Sequence, residues 1–495
     1  MKKKIVVAEA MSSAFYYIDD IRERGYEPVI LETFLPEGYV KTILDKERKD
    51  KYARIKGPIQ IIREDPDYNV TLDKIKSLDP LLVIPGSEDG VVIGTRLAND
   101  LGLISNPYSN IDRMTKKNVM HQGLREAGLR YIRGEEVSTW EECLAFLEKI
   151  GSENVVLKHA HGSGSVGVHL IHRSDELKAA YEQECGTENT MFNGEKQLMI
   201  QERIFGTEYI VNTISRDGIP AITSMFKYYK KETDSGDIIY LGSESIGYPN
   251  EEEKVLIDYA LQTVRALGIM NGPVHGEYMI DENGPVLIEI NCRVMGSSAP
   301  SGWLDLIFGY HETGVVLDCL LDRDFHEGFR KKPYKPLRKG YVKDFYVAKD
   351  QSILSSGIVP IVLNLRSYYS GWVDNAGRTD CLQKTVDLET ETGLINMVHD
   401  DPNVVSKEFE ALIYIEEHYP ELFQSNASIF HFPENEQEVT PGIRAVMEKD
   451  IEVLISEIIA YYRNGEQGEP PVPDELLKVS LHNRVILALL EGISL

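Results

Sequence analysis

The stretch 271-NGPVHGEYMIDENGPVLIEINCRVMG-296 concentrates side chains that can do chemistry. Glu282-Asn283-Gly284 reads as a three-residue hairpin loop with glycine in the left-handed position. With that loop, Glu277 pairs across from Glu289 and His275 across from Asn291. Strand side chains alternate faces. One face therefore carries His275, Glu277, Glu289, Asn291 and Arg293, and the other carries Tyr278, Ile280, Ile288, Ile290 and Cys292. A two-residue loop would put Glu277 and Glu289 on opposite faces, so the register is part of the expectation. Facing carboxylates repel unless a cation lies between them. Two carboxylates and an amide oxygen are hard ligands that suit Mg²⁺, which leaves its other positions to water and phosphates. Arg293, one pleat beyond Asn291, is placed to touch a phosphoryl group on that metal. The plain alternative is a solvent-facing strand whose charges only keep it soluble.

A second segment, 155-VVLKHAHGSGSVGVHLI-171, contains GSGSVG. The string fits the dinucleotide fingerprint, which needs a strand before the glycines and a helix after them. Here Val166, Gly167, Val168, His169, Leu170 and Ile171 follow, a β-branched and apolar run. The glycines therefore join two strands, and a nicotinamide enzyme is disfavoured. Lys158 and a small Gly/Ser loop would instead bring a point charge and backbone N–H groups onto phosphates. The P-loop signature G-x-x-x-x-G-K-[ST] is absent from the sequence, as is the G-x-S-x-G serine motif.

These segments need a scaffold. A chain of 495 residues is too long for one core, and roughly three domains is the prior. The hydrophobic share of 42% and charged share of 27% are those of a soluble globular protein. A net charge of −26 argues against nucleic acid or an anionic membrane as partner, since both need clustered Lys and Arg. It leaves room for a small anion in a lysine-lined pocket. The five cysteines form no C-x-x-C pair, and no apolar run reaches the roughly 18 residues of a membrane span. A cytoplasmic protein is expected.

The opening reads as βαβ: strand 4-KIVVAEA-10, helix 12-SSAFYYIDDIRERG-25 with a Ser cap, strand 27-EPVILE-32. The run 80-PLLVIPGSEDGVVIGTRLANDLGL-103 is strand, loop, helix. It places Glu88 at the carboxyl end of a strand, where open α/β sheets bind ligands, although a helix-start acid is the blander reading. The segment 114–130 reads as one helix. Beyond residue 330 come β-rich segments, a helix over 404–420 and a last amphipathic helix carrying Leu476 to Leu489.

Taken in order, the residues resemble a family. Lys117 precedes an M…L…AGL helix and Lys158 its glycine loop. Then come 200-IQERIFGTEYIV-211, Glu277 and 289-EINCR-293. This order resembles the ATP-grasp superfamily, its carboxylate–amine ligases, and most closely bacterial L-amino acid ligases that make dipeptides. The resemblance covers most of residues 1 to about 310. It implies an ATP-grasp α/β fold with an N-terminal Rossmann-like domain over 1–112. A small subdomain would span 113–205, a large subdomain 206–330, and an extra α+β domain 331–495. Lys117 and Lys158 would contact ATP phosphates, under the loop of Gly162, Ser163, Gly164 and Ser165; Lys116 is the alternative to Lys117. Backbone groups of Gln201, Glu202 and Ile204 would form the adenine hinge, and Glu208 would hold the ribose. Glu277, Glu289 and Asn291 would hold two Mg²⁺ ions, for which Mn²⁺ can substitute. Arg293 would steady an acyl phosphate, and His275, Glu88 and Gly296 stand on the substrate side.

The implied activity is ATP-dependent joining of a carboxylic acid, such as an amino acid, to an amine through an acyl phosphate. Small-molecule acids and amines are the expected partners, and a homodimer is a family expectation. The rivals are a biotin-type carboxylase, a natural-product amide ligase and a nucleotide-binding regulator without turnover. The identity of acid and amine stays open.

Overall fold

The computed structural model describes residues 2–34, 39–159, 167–186, 198–233, 236–296, 299–348, 351–352, 365–373, 381–382, 384–388, 390–418, 440–447 and 457. The chain divides into two compact units. The first comprises Met1–Tyr228, Asp234–Asp237 and Ser245–Leu337; the second comprises Tyr229–Thr233, Ile238–Glu244 and Arg338–Leu495.

The first unit opens with β1 (Lys4–Ala8), β2 (Glu27–Glu32), β3 (Gln60–Arg63) and β4 (Pro80–Pro85), a parallel sheet in the order β3-β2-β1-β4. Its central strands are near-continuous apolar runs because both faces are covered. Ile5 and Val7 join one core, with Ile18 and Ile21 of α1 (Tyr17–Glu23). Val6 and Ala8 join the other. The helices α2 (Tyr39–Tyr52), α3 (Tyr68–Lys76) and α4 (Gly90–Asp100) complete this part. The expected Ser-capped helix starts instead as a 3₁₀ turn over Ser12–Tyr16, preceded by Met11 with no side-chain cap. A Cβ on Gly90 would lie 2.0 Å from the Ala8 carbonyl oxygen. Glycine thus lets the 86–90 loop press against the end of β1.

α5 (Ile111–Thr115) and α6 (Lys117–Glu126) replace the single helix expected over 114–130. Lys116 adopts extended angles, φ −112° and ψ 115°, and breaks it. An antiparallel sheet follows, made of β5 (Gly134–Val137), β6 (Val155–His159), β7 (His169–Ile171) and β8 (Leu198–Glu202), in the order β5-β8-β6-β7. α7 (Trp140–Ile150) and α8 (Ser174–Gly186) contribute Phe146 and Leu177 to its core. The chain therefore returns from the glycine segment as a strand paired with β6, and the next helix begins only at Ser174. A dinucleotide fingerprint is excluded by that geometry.

Next come β9 (Thr207–Arg216), β10 (Ile219–Glu232), β11 (Ile238–Ser245), α9 (Glu251–Ala266), β12 (Gly272–Asp281) and β13 (Gly284–Asn291). Within the first unit their order is β13-β12-β9-β10, and α9 packs Leu256, Ala260 and Val264 into a core with Val274, Tyr278 and Ile290. α10 (Ser301–Phe308), α11 (Glu312–Leu321) and α12 (Arg323–Arg330) close the unit, α11 sharing a core with α1.

The second unit takes the end of β10, then β11, β14 (Lys339–Phe345), β15 (Gln351–Ser352), β16 (Tyr368–Val373), β17 (Cys381–Leu382), β18 (Gly393–His399), α13 (Pro402–His418) and α14 (Pro441–Met447). β11, β14, β18 and β16 are neighbours in that order, while β15 pairs with β17. α13 matches the helix expected over 404–420 and stacks Phe409 on Tyr341 at 4.5 Å. The amphipathic helix expected over 476–489 lies outside the described residues.

His311 bridges Asp20 of α1 and Asp305 of α10, both at 2.8 Å, and Thr313 also donates to Asp20. The Asp20 hydrogen bond, opposed by burial and helped by Asp305, pushes the imidazole up to about 9. A pKa raised on folding gives stability that is full below the unfolded value of about 6.5 and is lost as pH rises through the folded value. The shift is worth at most about 3 kcal/mol, and solvent access reduces that to about 1 kcal/mol. Urea unfolding of the protein and of His311→Asn should therefore differ most at pH 6. The difference should shrink by about 1 kcal/mol towards pH 9.5, and an unchanged difference would rule out the charged bridge.

Candidate active site

β12 and β13 set Glu277 opposite Glu289 and His275 opposite Asn291. That is the expected pairing, reached by another route. Asp281 pairs with Gly284, so the turn is only Glu282–Asn283, and Gly284, at φ 95°, already belongs to β13. The register then shifts between Tyr278, which faces Leu287, and Glu277, which faces Glu289. Ile288 is the residue absorbed by this bulge. A two-residue turn alone would have split the carboxylates between faces; the bulge reunites them. It also exchanges the core residue, because Leu287 is fully buried and Ile288 only half-buried. Arg130 clamps the turn end, its two nitrogens donating to the Asp281 oxygens at 2.7 and 2.6 Å.

The break at Lys116 puts Lys117 on the first turn of α6. From there its Nζ pairs with Glu289 Oε2 at 2.7 Å. Lys116 turns to Asp112 at an exposed site instead. Burial works against the Lys117 ammonium, but Glu289, with Glu88 and Glu277, outweighs it and raises the pKa. Lys158 on β6 is buried, and its ammonium has no hydrogen bond or ion pair among the described residues. Burial first, and the Lys117 charge second, lower it to about 8 against the pull of Glu289, Glu277 and Glu208.

Glu88, on the loop before α4, lies 3.5 Å from Arg293 Nε. Oriented by its hydrogen bonds, Asn291 donates its amide nitrogen to both Glu88 oxygens, at 2.8 and 2.9 Å. Its carbonyl oxygen then takes the place, 3.4 Å from Glu289 Oε1, that the nitrogen holds in the other orientation. In that orientation both ends of the amide are satisfied, the nitrogen by Glu88 and the oxygen by neighbouring donors. His275 is 5% exposed, with Nδ1 2.9 Å from Asn212 and Nε2 3.4 Å from Glu277. Burial lowers its pKa against the hydrogen bond it donates to Glu277. It is placed to hold Glu277. Gly296 accepts from Ser13 Oγ at 2.9 Å, which ties the segment after Arg293 to the first 3₁₀ turn.

Among the described residues no three His, Cys, Asp or Glu side chains form a metal cage on their own. Two carboxylates and an amide oxygen still fit Mg²⁺, which binds few protein groups and completes its shell with water and phosphate. Gln201 is buried between β5 and β6. The Glu202 N–H donates to Arg133 O at 2.9 Å, and its carboxylate pairs with Arg133, which removes that N–H from the hinge donors. Ile204 follows on the connection to β9, and Glu208 on β9 is near enough to act on Lys158. Gly162, Ser163, Gly164 and Ser165 lie outside the described residues.

Three positions gave no sequence signal. Asn212 orients His275, and Glu312 accepts from the Met295 N–H at 3.0 Å while burial pushes its carboxyl up to about 7. Glu184 on α8 binds His159 at 2.6 Å and His169 at 2.7 Å. Those histidines lie on the two strands that flank the glycine segment, one of them beside Lys158. The histidines were visible in sequence; a carboxylate on a distant helix was not. Although burial opposes it, the two histidine bonds lower Glu184 to about 2. Glu184→Ala should destabilise the β6–β7 pair by about 2 kcal/mol. Faster amide exchange in β6 and β7, with β12 and β13 unchanged, is the expected readout, and unaltered exchange in β6 and β7 would count against the clamp.

Residues 151–301 match the ATP-grasp domain family. Dapdiamide A synthase of Enterobacter agglomerans is 24% identical over 82% of this chain and 94% of its own length. A D-alanine–D-alanine ligase of Bacillus velezensis is 24% identical over 62% of this chain and 85% of its own. The crystal structure of L-amino acid ligase from Bacillus licheniformis superposes with a TM-score of 0.66 at 17% identity, covering 83% of this chain and 97% of that one. Fold, site order and relatives agree: residues 151–301 carry an ATP-grasp domain, and the chain is similar in sequence and fold to carboxylate–amine ligases built on that domain.

Proposed function

We propose that the protein joins a small carboxylic acid, an amino acid being the favoured case, to an amine, with ATP converted to ADP and phosphate. One observation carries the reading. Lys158 is a buried ammonium with no hydrogen-bond or ion-pair partner among the described residues, near the half-buried Lys117 and facing the Glu277–Glu289 pair. Desolvating such a charge is unfavourable until an anion arrives. A polyphosphate supplies that anion and brings metal to the carboxylates at the same time.

In this reading Lys117 and Lys158 bind phosphate oxygens, and Glu208 faces the ribose. Magnesium held by Glu277, Glu289 and Asn291 would neutralise charge on the phosphoryl oxygens. Glu88 keeps the Asn291 oxygen turned inward. The acid's carboxylate attacks the γ-phosphorus in line, a P–O bond to the acid forms, and the bond to the ADP oxygen breaks. Arg293 stabilises the charge of the transferring group. The amine lone pair then attacks the activated carbonyl, phosphate leaves with the C–O electron pair, and the amine proton passes to the departing phosphate. No protein nucleophile is required. Cys143, Cys185, Cys292 and Cys319 form no disulfide among the described residues, which fits a cytoplasmic setting, and no described helix is long and apolar enough to cross a membrane.

With ATP and Mg²⁺, phosphate release should require an acid–amine pair, and mass spectrometry should find the condensed product. Release with no acid present, or with bicarbonate alone, would replace this reading. Glu289→Ala and Arg293→Ala should each keep the fold by circular dichroism and lower kcat by about 100-fold or more. Wild-type turnover from either variant would refute the assigned site.

A further inference from the structure

The first unit holds a cleft of about 430 Å³ at the carboxyl ends of β2, β3 and β4, beside the metal-facing hairpin site but not part of it. Charges of opposite sign line it without neutralising one another. On α4, the Arg96 guanidinium lies 3.6 Å over the Tyr68 ring and 5.9 Å from the centre of the Tyr108 ring. Among the described residues it has no carboxylate partner. Elsewhere in the lining are Glu64, Asp65 and Asp89, of which Asp65 pairs with Lys74 at 3.6 Å. Among the described residues Glu64 accepts one bond, from the Phe34 N–H at 2.8 Å. Asp89 precedes α4 yet makes no side-chain cap bond.

Both carboxyls are raised, first by burial and then by the charge of Glu9, with the Phe34 N–H opposing at Glu64 and Arg48 at Asp89. Arg96 is not among the groups acting on either one. A bare cation bound here would leave the guanidinium uncompensated, and a bare anion would leave the carboxylates so. A ligand carrying both charges a short distance apart satisfies all three groups. The cleft is of single-small-molecule size, and Phe34, 53% exposed, adds apolar surface to the tyrosine rings.

We infer that this cleft binds a free α-amino acid as its zwitterion, with the carboxylate on Arg96, the ammonium on Glu64 and Asp89, and an apolar side chain against Phe34. Asp89 follows Glu88 directly, so the 86–90 loop faces the cleft with one carboxylate and Asn291 and Arg293 with the other. Binding needs neither ATP nor metal, so it succeeds or fails independently of the ligase reading.

The test is calorimetric titration of the full chain, without nucleotide. The probes are L-phenylalanine, L-leucine and L-methionine, then L-phenylalaninamide and N-acetyl-L-phenylalanine. At least one free amino acid should bind, and removal of either charge should weaken binding ten-fold or more. Arg96→Gln should weaken the free amino acid ten-fold and abolish its advantage over the amide, and Glu64→Gln should do the same against the N-acetyl compound. The inference fails if none of the three amino acids binds, if the capped compounds bind equally well, or if Arg96→Gln retains full binding. The capped compounds decide the matter on wild-type protein even if a variant does not fold.

Discussion

Glu277 and Glu289 stand opposite each other on paired strands, an arrangement that like charges disfavour. Much of the surrounding structure answers that repulsion. Lys117 reaches Glu289 from the first turn of α6, and His275 holds Glu277 from within the sheet. Asn291 gives its amide nitrogen to Glu88 and so puts an oxygen, not a proton, on the side of Glu289. Burial lowers the pKa of the His275 imidazole. Two carboxylates thus face each other, while the Lys158 ammonium has no hydrogen-bonded or ion-paired side chain among the described residues. A metal–polyphosphate ligand answers both, which neither a metal nor an anion alone achieves.

The face is completed by elements remote in sequence. Glu88 comes from a loop that reaches it only because Gly90 lets the backbone press on the end of β1. Ser13 and Glu312 pin the segment after Arg293, one through Gly296 and the other through Met295. α1 is held to α10 and α11 by the Asp20–His311 bridge and by Arg24, which pairs with Asp318 at 2.6 Å. The parallel sheet and the antiparallel hairpin are thus joined by charge-assisted bonds at the places that carry site residues, and rigid support of that kind keeps a site pre-organised.

Local pattern made much of this legible. Alternation along 275–293 assigned the polar face, and the β-branched run after Gly167 separated the glycine segment from a dinucleotide fold. The break between Lys116 and Lys117 was not legible, because nothing in KK marks an extended residue. Nor was the bulge. A three-residue loop and a two-residue turn with a bulge give the same pairing at Glu277. They differ only in whether Leu287 or Ile288 is buried, a choice made by packing against Tyr278 and α9. Glu184, Asn212 and Glu312 act across long sequence separations, and a single sequence holds no trace of such contacts.

Lys158 shows why the two kinds of information belong together. In sequence it is one lysine before a glycine-rich string that two different nucleotide folds use. In space it sits on β6 beside His159, which Glu184 ties to the strand returning from the glycine segment. The lysine and the histidine alternate along the strand. One is buried towards the hairpin carboxylates and the other towards α8. A substitution at Glu184 therefore acts on the geometry of a phosphate-facing lysine without touching its charge, whereas one at Glu289 changes that charge environment and leaves the strand pair alone. The electrostatic and the mechanical supports of the same ammonium lie on opposite faces of one sheet and are separable for that reason.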